Sequence, residues 1–294
     1  MIKLPFDRFS FTTEMKSKIS GTNITLEFDN VESGLSKVAL EMMDLLSEAL
    51  YEKICNTDQG LELSKDFLSR SMLHFALYEQ GIYLIAKISN DGITVKKNDN
   101  ETTIFKYQQD LLTEKLIEDG WFWFNRLVKA LDKVENLQEW SQSPAKKDLT
   151  DIPITSADFK KWVGVDSEYF ILQVRWIIRE VWTECVLSRS KAPQKTDEII
   201  RAICYEVLAR ATRRLAYHAL PKPIRVEMNS EMTKANSTLA ETDIREKLSA
   251  VYQKKADGYW IAVDAALSKQ EQSGIASSEV YKPTPINQND SFCA

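Results

Sequence analysis

ESGLSKVALEMMDLLSEALYEKI, residues 32–54, carries Leu35, Val38, Met42, Leu45, Leu46, Ala49 and Leu50 at alternating spacings of three and four. That is one apolar stripe on a 3.6-residue period, so the segment reads as an amphipathic helix. The chain beyond it repeats the signal. Ser64 is an N-cap candidate for a second helix reaching about residue 88, striped by Phe67, Leu68, Met72, Phe75 and Ala76. Asn90-Asp91-Gly92 then supplies a turn, and Ile93-Thr94-Val95 a short extended piece. A third helix is expected from about Phe105 to Val134, striped by Leu112, Leu116, Trp123, Leu127 and Leu131. Gly120 sits near its middle, where a glycine costs about 1 kcal/mol and marks close packing or a bend.

The same order returns after a polar stretch at 141–155, where Pro and Ser interrupt the period. Leu45–Glu52 lies against Ile177–Glu184 with both glutamates in register, and Phe67-Leu68 falls on Ile199-Ile200. Gly92–Val95 corresponds to Pro223–Val226 as a short strand, and the Leu112–Leu131 stripe meets Leu248–Leu267. Three helices and a strand matched in order point to an internal duplication. The expected fold is therefore all-α, mainly helical with short β segments, as two tandem three-helix bundle units. Their boundaries are 1–140 for the first unit, 141–155 for a linker, 156–270 for the second unit and 271–294 for an extended tail. Thr155-Ser156 before Ala157–Trp162, closed by Gly164, reads as a short capped helix opening the second unit. The first unit opens on Phe6, Phe9, Phe11 and the alternating Ile24–Phe28, a pattern closer to extended chain. The tail is too poor in apolar groups to fold alone, so partners are expected to order it.

Composition agrees with this architecture. With 44% hydrophobic and 28% charged residues, the 294-residue chain has the balance of a globular protein with its own core. Only 9 glycines leave little material for phosphate cradles or many tight turns. Residues 1–150 hold 18 basic and 24 acidic groups, net −6, whereas 151–294 hold 20 and 19, net +1. Neither half has the basic excess of a general duplex binder. Cys55, Cys185, Cys204 and Cys293 stand apart and form no C-x-x-C pair, and they read as reduced intracellular thiols. Charges at Lys3, Asp7, Arg8, Glu14, Lys16 and Lys18 break any signal-peptide core, and no apolar run is long enough to span a bilayer.

His74 and His218 are isolated within helices, outside any metal-ligand spacing, and read as surface or capping residues. Nucleophile-elbow, P-loop and dinucleotide fingerprints are missing from the sequence. Glu48/Glu52 and Glu180/Glu184 lack the E-x-x-H that a carboxylate metal site requires, so they read as solvated acidic faces. The expectation is a protein without catalytic, cofactor-binding or metal residues. Two features suggest contact instead. Trp121, Phe122, Trp123 and Phe124 are consecutive and cannot share one helix face, which implies either a partner or a wide buried helix. Arg201, Arg210, Arg213, Arg214, Lys222 and Arg225, opposed only by Glu206, form a local +5 cluster. That cluster fits an acidic protein surface better than nucleic acid, with a plain solvated face as the third reading. Candidate interface residues are Trp121, Phe122, Arg210, Arg213, Arg214 and Arg225, with Tyr281 and Phe292 in the tail.

The capped helix at Ser156–Trp162, Val163-Gly164-Val165-Asp166-Ser167, long helices over 167–187 and 196–219, and Leu220-Pro221 leading to Ile224-Arg225-Val226 together resemble the head-tail connector, or adaptor, proteins of tailed bacteriophages. The resemblance covers residues 155–226 best. The whole chain, including the Trp121–Leu131 helix and Trp140-Ser141, is similar to a longer set of phage and prophage proteins with two such units. What this implies is an all-α subunit of a homo-oligomeric ring, usually a dodecamer, in the virion neck. It would dock beneath the portal protein and beside other neck or tail rings, with genomic DNA passing the lumen unbound and no membrane contact. A DNA-handling helical protein, a packaging factor or regulator using the 201–225 cluster, is the alternative.

Overall fold

The computed structural model describes residues 2–19, 27–89, 92–95, 106–151, 154–189, 195–234 and 241–278. Among these the chain is all-α. The helices of its first half are α1 (Phe11–Lys18), α2 (Glu32–Leu46), α3 (Glu48–Asn56), α4 (Glu62–Ile85), α5 (Lys106–Leu131), α6 (Gln138–Ser141) and α7 (Pro144–Asp151). Those of the second half are α8 (Ser156–Val163), α9 (Glu168–Val181), α10 (Asp197–Arg214), α11 (Lys222–Lys234) and α12 (Glu241–Ser278). A short antiparallel hairpin, β1 (Ala86–Ser89) and β2 (Gly92–Val95), follows α4, with Ser89 opposite Gly92.

Local chemistry sets the helix ends. Thr155 and Asp158 form a reciprocal capping box on α8, in which Asp158 N–H donates to Thr155 Oγ1 at 3.3 Å and Thr155 N–H to Asp158 Oδ2 at 2.8 Å. Gly164, at φ 75°, closes the same helix in the left-handed region as the sequence predicts. Thr155→Ala is expected to cost about 1 kcal/mol, read as a lower urea midpoint at unchanged slope; an unmoved midpoint would mean the cap is redundant. The single helix read over 32–54 is two. Ser47 adopts φ 76° and ψ 149°, which ends α2, and its hydroxyl accepts from Leu50 N–H to cap α3. The long helix read over 167–187 begins as expected at N-cap Ser167, but widens into a π-helical segment at Trp182–Leu187. Phe11 opens α1 where extended chain was anticipated, and Pro223–Val226 lies in α11 where a strand was. That last difference removes the strand from the set of matched elements; proline suits the first turn of a helix, where its missing N–H is no loss.

Two antiparallel helix pairs organise the packing. In the first, α4 lies against α5, with Phe67 stacked on Trp123 at 5.7 Å and Ser71 Oγ donating to Gly120 O at 2.9 Å. In the second, α10 lies along α12, with Ser249 Oγ donating to Ala209 O at 2.7 Å and Tyr205 stacked on Tyr259 at 5.5 Å. The two pairs share one core. Tyr169 and Phe170 of α9 are buried against Phe75, Trp121 and Phe124 of the first half. Asn125 of α5 accepts from Tyr169 N–H at 3.0 Å, so a side chain of one half caps a helix of the other. The expected linker 141–155 is largely helical: α7 buries Ala145, and its Asp148 pairs with Arg175 and Arg179 of α9, each at 2.7 Å.

Candidate functional site

The four consecutive aromatics of α5 diverge as helical geometry requires. Phe124 is fully buried and Trp121 is 8% exposed. Trp123 is half-buried against α4, with the Arg70 guanidinium 4.7 Å from its ring centre. Phe122 alone turns outward, at 47% exposure. It lines an open cleft of about 230 Å³ with Asn125, Arg126, Lys129, Asp166 and Glu168. Small-molecule sites are roughly 300–1,000 Å³ and mostly apolar, so this mixed-charge cleft is undersized for one. Phe122 keeps the exposure expected of an interface residue, whereas Trp121 is corrected to an internal one. It packs on Tyr169 and Phe170, and its indole N–H donates to His218 O at 3.2 Å.

The basic cluster is also redistributed. Arg225 is 1% exposed, stands 5.6 Å from the Trp121 ring centre, and is held by Glu114 through Nε at 3.0 Å and by Leu220 O. Tyr217 donates to the same carboxylate and accepts from Asn229 at 2.8 Å. Burial and that hydrogen bond to Glu114 raise the Tyr217 phenol well above its ordinary range. Arg210 pairs with Glu180, with Glu184 at 2.7 Å and with Glu206 at 2.9 Å. Burial opposes its charge, and the hydrogen bonds it donates to Glu184, Glu206 and Glu180 outweigh that and raise its pKa. Arg214 pairs with Glu180 at 2.6 Å, and this hydrogen bond, against a smaller effect of burial, holds Glu180 below the usual carboxylate range. Lys222 reaches Glu118 at 2.6 Å. The sequence reading counted one opposing acid because the other four stand on distant segments.

Arg210 and Arg225 are therefore corrected from interface residues to internal ion-pair residues. Arg214 is exposed but paired, and Arg213 is exposed. Glu180 is a half-buried anionic partner of this network and not part of a solvated face, whereas Glu184, though paired with Arg210, is exposed; Glu48 and Glu52 are exposed as expected. The histidines are corrected too. His74 is 4% exposed within α4, its Nδ1 2.7 Å from Arg70 O, and His218 is half-buried in the turn Tyr217–Ala219, tilted against Tyr78. Burial lowers the pKa of both. The described cysteines Cys55, Cys185 and Cys204 are free, and burial pushes the Cys55 thiol up to about 11. Tyr281 and Phe292 lie outside the described residues. Among the described residues no three His, Cys, Asp or Glu side chains form a metal-holding group, and no helix is long and apolar enough to cross a membrane.

One grouping escaped the sequence reading. Trp162 of α8, Arg201 and Tyr205 of α10, and Tyr259 and Lys255 of α12 come together in a half-exposed ladder of rings and cations. Tyr205 and Tyr217 were the only aromatics visible near the cluster in sequence. The ladder's other rings lie dozens of residues away: packing of α8 on α10 supplies Trp162, and the α10/α12 pairing supplies Tyr259.

Compared with known proteins, the chain is similar to a family model described as a family of unknown function, DUF6712, over residues 26–149 and 183–284. No curated protein and no solved structure matches it.

Proposed function

Because the chain belongs to the DUF6712 family, a family of unknown function, we propose a role for it from its own surfaces: a structural subunit of a tailed-phage virion, a head-tail connector that joins copies of itself into a ring beneath the portal. The carrying observation is the run from Thr155 to Arg214. It forms a capping-box entry helix followed by two long helices, the arrangement through which the sequence resembles connector proteins. The doubling read from the sequence belongs to the same proposal, with the α4/α5 and α10/α12 pairs as its two copies. The role is passive: the described surfaces bind, and no bond is made or broken. DNA would pass the lumen without being gripped, and the protein would reside in the virion neck.

The internal pairing of the basic cluster weighs against the DNA-handling alternative. Counterion release requires cations free to meet phosphate, and Arg210, Arg214, Lys222 and Arg225 already have carboxylate partners. Mass measurement of the purified protein, alone and mixed with a portal ring, tests the proposal. A closed multimer or a portal complex is the expected result. A protein that stays single at every concentration and beside the portal, or that binds duplex with a steep salt dependence, overturns it.

A further inference from the structure

We propose that the ladder formed by Trp162, Arg201, Tyr259, Tyr205 and Lys255 is the docking surface for the acidic α2–α3 face of a second copy of this chain. The inference rests on the ring reading above and names the contact that would build the ring. Its centre is Arg201. The guanidinium carbon lies 3.8 Å from the Trp162 ring centre and 4.9 Å from that of Tyr259, so the group is held between two aromatic rings. Tyr259 stacks on Tyr205 at an interplanar angle of 16°, and the Lys255 ammonium stands 5.5 Å from the Tyr205 ring centre. Lys161 covers Trp162 from 4.3 Å and is itself paired with Asp197.

A stacked guanidinium presents its N–H donors at its edges, in the plane where a carboxylate fork binds. Among the described residues no carboxylate is within ion-pair reach of Arg201 or Lys255, whereas Arg214 and Arg225 each have one and Arg210 has three. The ladder is thus a set of donors positioned by ring stacking, and pre-positioning lowers the entropic cost of docking. The indole N–H of Trp162, buried in the same ladder, also has no acceptor among the described residues.

The complement is in the chain itself. Residues 1–150 carry net −6, and α2 and α3 expose Asp44, Glu48 and Glu52, with Leu40 one turn before Asp44 and 52% exposed. None of those three carboxylates is within ion-pair distance of a lysine or arginine among the described residues. A cationic aromatic face in the second half and an acidic face in the first make a contact between unlike surfaces, which can close into a ring when repeated head to tail.

The test uses the full chain and native mass measurement over a concentration series. Lys255→Glu, at an exposed position, and Arg201→Glu are each expected to weaken self-association at least tenfold, and added salt should weaken the wild type similarly. Circular dichroism of both variants serves as the check that they are folded. Mixing Arg201→Ala with a Glu48→Gln/Glu52→Gln protein should give capped one-to-one pairs that grow no further, because each partner retains one sound face and the two altered faces carry no complementary charge. If the wild type assembles and both ladder variants assemble equally well, the ladder assignment is overturned while the ring reading stands. If the wild type never assembles, the ring reading falls as well.

Discussion

Arg225→Ala lowers the unfolding free energy by about 3–5 kcal/mol, the usual cost of deleting one partner of a buried ion pair. The guanidinium is 1% exposed and the Glu114 side chain 16%, so neither can turn to bulk water when the other is removed. The cost falls on what remains: a carboxylate left in a poorly solvated seam, a Leu220 carbonyl without its donor, and a void beside the Trp121 ring. Arg225 reaches across 111 residues of sequence to Glu114, so the loss should be felt as loosening between the halves. The decisive comparison is the double substitution Arg225→Met with Glu114→Leu. It removes both charges, although the Leu220 carbonyl and the Tyr217 hydroxyl still lose a partner, and should recover part of the loss, since apolar replacement of a buried pair is often close to neutral. Urea unfolding of the single and double variants measures this. A single variant within about 0.5 kcal/mol of wild type, the range of ordinary surface changes, would mean the pair is effectively solvated.

Gly120→Val is expected to cost about 1–3 kcal/mol, the range for overpacking a close-fitted core, despite valine's better helix propensity. Helix preference alone would make almost any residue here better than glycine by several tenths of a kcal/mol. A Cβ at this position would stand 2.7 Å from Phe75 Cε1, inside contact distance, and the Phe75 ring is itself stacked on Tyr169 at 5.2 Å. The ring therefore has no free direction in which to retreat. The main chain is engaged as well, since Gly120 O accepts from the buried Ser71 hydroxyl. Phe75→Leu should relieve part of the clash, so the two substitutions together should be less destabilising than the sum of their separate costs. Additive costs in denaturant melts would show that the α4–α5 approach is not set by this pair.

Much of the local structure was legible because local forces create it. The three and four spacing around Leu35, Leu68 and Leu127 needs only a helix period. The Thr155 cap and the Gly164 stop need only side chains and dihedral preferences within a few residues. Gly120 was recognisable as marking close packing or a bend because a mid-helix glycine has no local justification, and the Phe75 contact decides for close packing. The break at Ser47 was not legible, because an unbroken apolar stripe runs through it, and α7 was hidden by a composition that reads as loop. The site was less legible still. A cluster counted along the chain as +5 is largely neutralised in space by Glu180, Glu184, Glu114 and Glu118.

By itself, then, the sequence determined the all-α class, the two ends of α8, the starts of α9 and α10, and the charge imbalance between the halves, all properties set by neighbours along the chain. Only the tertiary structure decided that Trp121 and Arg225 face inward, that the halves share one core, and that Arg201 is stacked between Trp162 and Tyr259. Those outcomes depend on helix pairings that bring residues dozens of positions apart into contact, and no local period or propensity encodes which distant partner arrives.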